Sequence, residues 1–185
     1  MKKLTLAATF LLSFGFNSLA MANDAPAEKP STKVEQFSAK TGAVIIKGFT
    51  EIGVINSRGN TLEVSSVEFF DAGSPNNIVK GVAIRVEQKT RFERSNTSFI
   101  DFDEIDSLIK GIDYISKIKS DATKQQNFEA KYKTKGSFEI IVFDNSQGGL
   151  SAMVASGNIG KASIFIDMTD LEKLRQLVLD AKAKL

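Results

Sequence analysis

The sequence contains no cysteine, no histidine and no tryptophan among its 185 residues. Without cysteine, disulfide bonds and thiol nucleophiles are excluded, and without histidine there is no imidazole to act as a general base. A zinc site built from nitrogen and sulfur ligands is excluded for the same reason. Any catalysis would depend on carboxylates, lysine, tyrosine or hydroxyl groups, and we predict neither a metal nor a cofactor.

The first 22 residues have the pattern of a secretory signal peptide. Lys2 and Lys3 precede an apolar run over 4–16, and Ala20-Met21-Ala22 supplies the small residues of a cleavage site. We expect cleavage after Ala22 and a periplasmic or secreted mature protein. The apolar run is too short to span a bilayer comfortably, and no later stretch predicts a membrane span.

The mature chain predicted in this way has no net charge. The full sequence has 24 Lys plus Arg and 22 Asp plus Glu, and the signal holds two of the lysines. Equal numbers of basic and acidic residues give no general attraction to nucleic acid or anionic lipid, which argues against nucleic acid as a partner. A mature chain of about 160 residues is long enough to bury a core without disulfides.

Alternating apolar residues separated by Gly- and Asn-rich turns predict an α+β fold in which two halves each contain four strands and a helix (β4α). The antiparallel sheets are expected to hold the two helices packed together in one compact domain over 34–185. A disordered linker is predicted over 23–33, and a second linker over 121–126. The first half is predicted over 34–120, where an extra N-terminal strand or hairpin over 34–46 precedes its four strands. The second half is predicted over 127–185.

An amphipathic helix is predicted at the end of each half. Asp103 is expected to cap the first helix, with Asp106 at its third position, and Thr169 and Glu172 form the same pattern before the second. Apolar residues at helical spacing predict that one face of each helix packs against the core. These residues are Ile105, Leu108, Ile109, Ile112, Ile115 and Ile118 in the first helix, and Leu171, Leu174, Leu177, Val178, Ala181 and Leu185 in the second.

The two strand-to-helix junctions resemble each other in sequence. An offset of 66 residues places Phe99-Ile100-Asp101 on Phe165-Ile166-Asp167, and Ile105 and Leu108 then fall on leucines. This similarity favours an internal structural repeat. The alternative is a single α+β domain with two unrelated helices, because strand-to-helix junctions converge on such residues.

This order of elements resembles the tandem β4α arrangement of the Whirly family and of the single-stranded-DNA-binding transcriptional coactivators that form the same unit by dimerising. The resemblance covers most of the mature chain and implies two crosswise antiparallel sheets with their helices packed together. It rests on element order and not on a family motif, so no binding residues are carried over. The export signal and the neutral mature chain argue against inheriting DNA binding.

Four acidic residues cluster at the first junction: Asp101, Asp103, Glu104 and Asp106. The functional hypothesis is a Ca²⁺ site or a pair of carboxylates for acid–base catalysis. The alternative is that acidic residues are favoured at the N-terminus of a helix by its exposed amides and dipole, which also explains Asp167 and Asp170. The calcium-loop pattern itself is absent.

Basic residues form a second set of candidates. Lys131, Lys133 and Lys135 alternate along a predicted strand and share one face, with Tyr132 between them. They could contact a polyanion, with Tyr132 as a stacking partner, as could Arg91 and Arg94 in a polar loop. The alternative is a solvent-exposed edge strand protected from aggregation by its lysines.

The leading functional hypothesis is an exported, non-enzymatic binding or interaction module with an unknown protein or small-molecule partner, present as a monomer or homodimer. The alternatives are polyanion or nucleic-acid binding on a sheet face and a carboxylate-based hydrolase. Phe69-Phe70 and Phe102 are the aromatic residues least explained by strand alternation. They are interpreted as core residues, with an apolar ligand pocket or partner surface as the alternative.

Overall fold

The computed structural model describes residues 31–89, 92–145 and 148–185. The predicted signal peptide and the predicted linker up to residue 30 lie outside the described residues. Helix α1 comes first, followed by four strands, a 3₁₀ turn at Phe102–Glu104 and helix α2. The bounds of these elements are α1 Lys33–Ser38, β1 Ile45–Ser57, β2 Asn60–Asp71, β3 Ser74–Gln88, β4 Arg94–Asp101 and α2 Ile105–Ile115.

The second half repeats the order of four strands and a helix. Its elements are β5 Glu129–Lys133, β6 Phe138–Asp144, β7 Leu150–Ser156, β8 Ala162–Ile166 and α3 Asp170–Ala183. Each set of strands forms an antiparallel sheet in chain order, β1-β2-β3-β4 and β5-β6-β7-β8. The α+β class and the two β4α halves predicted from the sequence are therefore confirmed.

The first sheet begins with a long hairpin. Arg58 and Gly59 form the turn between β1 and β2 with φ angles of 51° and 79°, as a two-residue turn matched to the twist of the strands requires. Ile55 then lies opposite Leu62, and a bulge between Glu51 and Gly53 shifts the register. Strands β1, β2 and β3 have 13, 12 and 15 residues, whereas the longest strands of the second sheet have 7. The first sheet is therefore much larger than the second.

One apolar core joins the two halves. The predicted stripe of α2 is buried at Ile105, Leu108 and Ile112, and Leu171 and Leu174 of α3 are buried with them in a single cluster that includes strands of both sheets. The side chains that meet there follow the 3.6-residue period of the helices and the two-residue period of the strands. Burial of this shared cluster holds the halves together through the hydrophobic effect.

The two helices run antiparallel and each contacts the sheet of the opposite half. Asp113 and Asp106 of α2 form ion pairs with Arg175 (2.6 Å) and Lys182 (2.5 Å) of α3, in reversed order along the chain. Helix α3 lies against β1, β2 and β3, whereas α2 lies against β5. This exchange of helices interlocks the halves, which agrees with the expected packing of helix against helix.

The outer edge of β4 is covered by turns of the second half. Gly136 lies directly against the backbone of Phe99, and the hydroxyl groups of Ser98 and Ser156 form a buried hydrogen bond of 2.7 Å. Asn96 donates to the carbonyl oxygen of Ile159 (3.3 Å). The second half therefore occupies the position where a fifth strand could otherwise pair with the first sheet.

The predicted extra strand or hairpin over 34–46 is wrong. Residues Lys33–Ser38 form α1, because Thr32 and Glu35 make a reciprocal capping box and because Val34 and Phe37 both turn toward the first sheet. The preceding Thr32 is buried, although it lies in the segment predicted to be a disordered linker. Strand β1 starts only at Ile45.

The predicted helix caps are also corrected. Neither Asp103 nor Thr169 makes a side-chain hydrogen bond to the first turn of its helix. Asp103 instead pairs with Lys33, and Asp170 accepts a hydrogen bond from the backbone N–H of Asp167 (3.1 Å). The acidic residues at both junctions were recognised from the sequence, but the groups that they contact were not.

Candidate ligand-binding surface

A groove of about 320 Å³ crosses the outer face of the first sheet. We call it the sheet groove. Its floor includes Val67 and Ala83, which are buried, and Phe49 stands at its side with 64% of its surface exposed. Charged residues of both signs complete the lining: Lys47, Glu51, Glu63 and Arg85.

The groove arises from strand alternation. In the register of β1 to β3, Phe49 lies opposite Val67, and Glu51 lies opposite Ser65, which in turn lies opposite Ala83. Successive side chains of a strand point to opposite faces, so these residues share the face away from the main core. The small side chains of Ser65 and Ala83 leave the concave floor.

Lys47 stands among three aromatic rings beside this groove. Its Nζ atom lies 5.4 Å from the ring centroid of Phe49, 5.8 Å from that of Phe69 and 5.9 Å from that of Phe99. Phe69 and Phe99 meet edge to face at 6.0 Å. Rings within about 6 Å of a cation attract it through their quadrupoles. The lysine is therefore oriented by the rings, although no carboxylate of the described residues forms an ion pair with it.

Helix α1 covers the part of the outer face next to the groove. Val34 and Phe37 of α1 pack with Val67, Phe69 and Ala83 in a second, smaller core cluster. Phe69, one of the aromatic residues that strand alternation did not explain, is buried here at 4% exposure. The helix therefore packs on Val67 and Ala83, two residues of the groove floor.

Polar groups at the far side of the groove are partly held by neighbours. Arg85 donates from Nε to the hydroxyl of Ser95 (2.9 Å), and its guanidinium lies 4.0 Å from Glu87. Glu63 accepts a hydrogen bond from Ser65 (3.3 Å). These contacts orient both charges at the surface while leaving each with further hydrogen-bonding capacity.

The predicted lysine stripe lies on β5, the outer strand of the second sheet. Lys131 pairs with Glu129 (3.1 Å), and Lys133 pairs with Glu139 (3.3 Å). Lys135 lies beyond the strand in the turn, where its backbone N–H donates to Glu104 (2.9 Å). The stripe is thus interleaved with carboxylates and does not present an uninterrupted row of positive charge.

Tyr132 faces the opposite side of β5 from these lysines. Its ring lies over Gly111 of α2, and its hydroxyl donates to Ser107 (3.2 Å). Burial raises the pKa of the Tyr132 phenol. Its packing against the helix places the ring away from the lysine face, where a polyanion would bind.

Arg91 lies outside the described residues. Arg94 is exposed at the start of β4 and pairs in backbone register with Gln88.

The four acidic residues at the first junction contact four different groups. Asp101 is buried and accepts the backbone N–H groups of Lys33 (2.9 Å) and Val34 (3.1 Å) in the first turn of α1. Asp103 pairs with the Lys33 side chain, Glu104 accepts from the turn before β6, and Asp106 pairs with α3. Asp101 and Asp103 therefore both hold the start of α1, whereas Glu104 and Asp106 join the turn before β6 and α3 to the junction.

One exposed ion pair at this junction, between Lys33 and Asp103, shifts the pKa values of both partners. A hydrogen bond with Asp103 raises the pKa of the Lys33 ammonium, and the same bond lowers the pKa of the Asp103 carboxyl.

Over residues 31–89, 92–145 and 148–185, no group of three or more acidic residues is arranged to hold a metal ion. Within the same residues, no helix is long and apolar enough to cross a membrane.

Glu139 carries a paired carboxylate on the outer face of the second sheet. It is 5% exposed and accepts from Lys161 (2.8 Å) as well as from Lys133. Burial opposes its ionisation, but the hydrogen bonds from the two lysines outweigh burial and lower the pKa of Glu139 below its usual range. The ionised form is therefore favoured by folding.

Replacing Glu139 with glutamine is expected to lower the free energy of unfolding at neutral pH by about 1 kcal/mol, because both lysines are half-exposed. A depressed carboxyl pKa contributes stability above the unfolded value of about 4.3 and loses it as the pH falls through the folded value. The difference between wild type and variant, measured by urea unfolding at several pH values, should therefore shrink in acid. An unchanged difference at low pH would contradict this assignment, and Glu129→Gln at the exposed pair serves as control.

The strand β1 carries a sequence signal for the sheet groove. Lys47, Phe49 and Glu51 alternate along β1, which predicts one shared face. The pattern alone does not tell whether that face is buried, because burial depends on α1. This helix covers the neighbouring residues Val67 and Phe69 on β2.

No family model matches the chain, and no curated protein or solved structure is significantly similar to it. The interpretation of its function therefore depends on the geometry of its own residues.

Proposed function

We propose that this chain is an exported, non-enzymatic binding module that holds a polypeptide segment of a partner protein in the sheet groove. The observation that carries the proposal is the exposure of Phe49 beside a concave surface. Large exposed apolar residues in such a setting mark interaction sites more often than isolated surface positions do. The predicted signal peptide supports the exported location.

The chemistry of the groove favours a peptide over a small apolar ligand. Lys47, Arg85, Glu51 and Glu63 all line the groove, so both signs of charge border a floor that includes Val67 and Ala83. An extended peptide can place an apolar side chain over Val67 and Ala83 and charged groups at the rims. Complementary charges at the rim give specificity, whereas the aromatic residue supplies the contact energy.

The alternative functions have less support from the geometry. A polyanion on β5 would have to displace Glu129 and Glu139 from the lysines that it needs. A carboxylate-based hydrolase needs two acids that converge on one substrate. Asp101 and Asp103 are both held by Lys33, and Glu104 and Asp106 are held by other neighbours.

A display library of random peptides, selected on the purified protein, tests the proposal. We expect enriched peptides that combine an apolar residue with flanking charges. Phe49→Ser should weaken their binding at least about tenfold, which is the effect of losing an aromatic contact at the centre of an interface. Arg85→Ala should weaken it to a lesser extent.

The control is Tyr114→Ser, because Tyr114 is also exposed, at 78%, but lies on α2 away from the first sheet. This variant should bind the selected peptides like wild type. If no peptide is enriched, or if peptides bind Phe49→Ser as tightly as wild type, the proposed function is wrong.

A further inference from the structure

Strand β1 is an open edge of the first sheet. It pairs with β2 on one side and with no described strand on the other. Alternate backbone N–H and C=O groups therefore point outward along its 13 residues, on each side of the bulge between Glu51 and Gly53. The strand contains no proline, and Ile46, Phe49 and Val54 are exposed along it. A long apolar edge of this kind is a template for pairing with another strand.

Other edges in the described residues are protected. The β4 edge is covered by Gly136 and the turns around it. The β5 and β8 edges have only 5 residues each, and Glu129, Lys131 and Lys133 are exposed along β5. The contrast singles out β1, because it is the longest of these edges and its register stays regular from Ile45 to Glu51, up to the bulge before Gly53.

The sequence of β1 is complementary to itself. Its charged residues are Lys47 and Glu51 alone, and they lie at equal distances on either side of Phe49. Both are exposed on the outer face, and neither forms an ion pair within the part of the chain that the structure describes. An antiparallel copy of the strand centred on Phe49 would place opposite charges face to face.

We propose that two copies of this chain pair through β1 in antiparallel fashion about a two-fold axis at Phe49. Lys47 then lies opposite Glu51 of the partner subunit, twice in each dimer. Such an isologous contact closes as a dimer and does not propagate. The two sheets become one sheet of eight strands.

This dimer does not depend on the proposed function, but it changes the surface on which that function acts. The side chains of Phe49 stand perpendicular to the sheet, so the two rings lie side by side on the outer face and stay accessible. The two sheet grooves then flank this aromatic pair. A partner protein with two suitable segments would be held at both grooves.

Charge reversal tests the register of this contact. Lys47→Glu alone, or Glu51→Lys alone, replaces two attractive pairs by two repulsive ones, and like charges directly opposite each other destabilise strand pairing. Each single variant should weaken the dimer about 30-fold in sedimentation equilibrium. The double variant Lys47→Glu/Glu51→Lys restores opposite charges and should recover the wild-type dissociation constant.

Lys110→Glu is the matched control, because Lys110 is exposed on α2 and its reversal changes the net charge equally. It should leave the dissociation constant unchanged. A wild-type protein that stays monomeric at all concentrations overturns the proposal. So does a dimer that responds equally to Lys110→Glu and Lys47→Glu, or that is not restored by the double variant.

A single cysteine gives an independent measurement, since the chain has none of its own. Opposed residues of an antiparallel hydrogen-bonded pair have Cα atoms about 5.5 Å apart, which is within the range of a disulfide. Phe49→Cys should therefore form a covalent dimer under mild oxidation, whereas Tyr114→Cys should remain largely unlinked. Equal crosslinking of the two variants would contradict a two-fold axis at Phe49.

Discussion

Replacing Asp101 with alanine is expected to lower the free energy of unfolding by about 3 kcal/mol, because hydrogen bonds to a charged acceptor contribute more than neutral ones. The carboxylate is 3% exposed and accepts two backbone N–H groups from Lys33 and Val34. The first N–H groups of a helix have no partner within the helix. Alanine leaves these donors beside a buried void.

The loss should be concentrated in α1. Hydrogen exchange at residues 33–38 should accelerate in Asp101→Ala, and urea unfolding should show the lower stability. Asp101→Asn, which keeps one acceptor oxygen, should lose less. Asp103→Ala is the control, because it removes only the exposed ion pair to Lys33, and it should have a much smaller effect. Equal losses in Asp101→Ala and Asp103→Ala would contradict the role assigned to Asp101.

Asp101 also connects the junction to the sheet groove. If α1 is released, Val67, Phe69 and Ala83 lose the cover of Val34 and Phe37. The floor of the groove would then become an open apolar sheet face, which favours non-specific association. One buried carboxylate therefore supports both the stability of α1 and the shape of the candidate binding surface.

The sheets and the two long helices were predicted from the sequence because their signals are local. The isoleucines of α2 recur at helical spacing, and the short strands of the second half lie between clear turn residues. Such periodicity depends on a single face meeting the core. A helix can therefore be predicted from this periodicity without knowing which element covers its buried face.

Helix α1 shows how a local signal can be overlooked. Thr32 and Glu35 have the spacing of a capping box, and the structure forms it. The short apolar pattern after Thr32 is compatible with a strand as well, and six residues are too few for the helical period to decide. The deciding contact comes from Asp101, 67 residues away from Val34.

The candidate surfaces depended even more on distant contacts. The residues near Lys133 in the sequence do not indicate that Lys161 also pairs with Glu139. Likewise, the aromatic rings around Lys47 come from three different strands. The sequence identified residue types that could bind a ligand, but which of them are neutralised by a neighbour is a property of the packed sheets.

Replacing Gly136 with alanine is expected to lower the free energy of unfolding by about 3 kcal/mol, at the upper end of what overpacking a buried site costs. A Cβ atom at this position would lie 2.0 Å from the carbonyl oxygen of Phe99 and 3.0 Å from its carbon. Both are backbone atoms of β4, so no side-chain rotation can relieve the clash. The turn before β6 would have to move away from the first sheet.

That movement is opposed on several sides, which is why the loss should be large. Glu104 holds the backbone N–H of Lys135, and Ser31 donates to the carbonyl oxygen of the same residue (2.7 Å). A shifted turn would strain these bonds and the buried contact between Ser98 and Ser156. Thermal and urea unfolding should both report the change.

Gly73→Ala provides the matched comparison for Gly136→Ala. Gly73 is exposed, and a Cβ atom there would meet only the Asp71 carboxylate, at 3.4 Å. Its substitution should leave stability nearly unchanged, since the contact is an ordinary one. If Gly136→Ala were as stable as Gly73→Ala, the turn before β6 would not pack against β4 as described. The cover over the β4 edge would then be absent, and β1 would no longer be distinguished from β4 as the open edge of the first sheet.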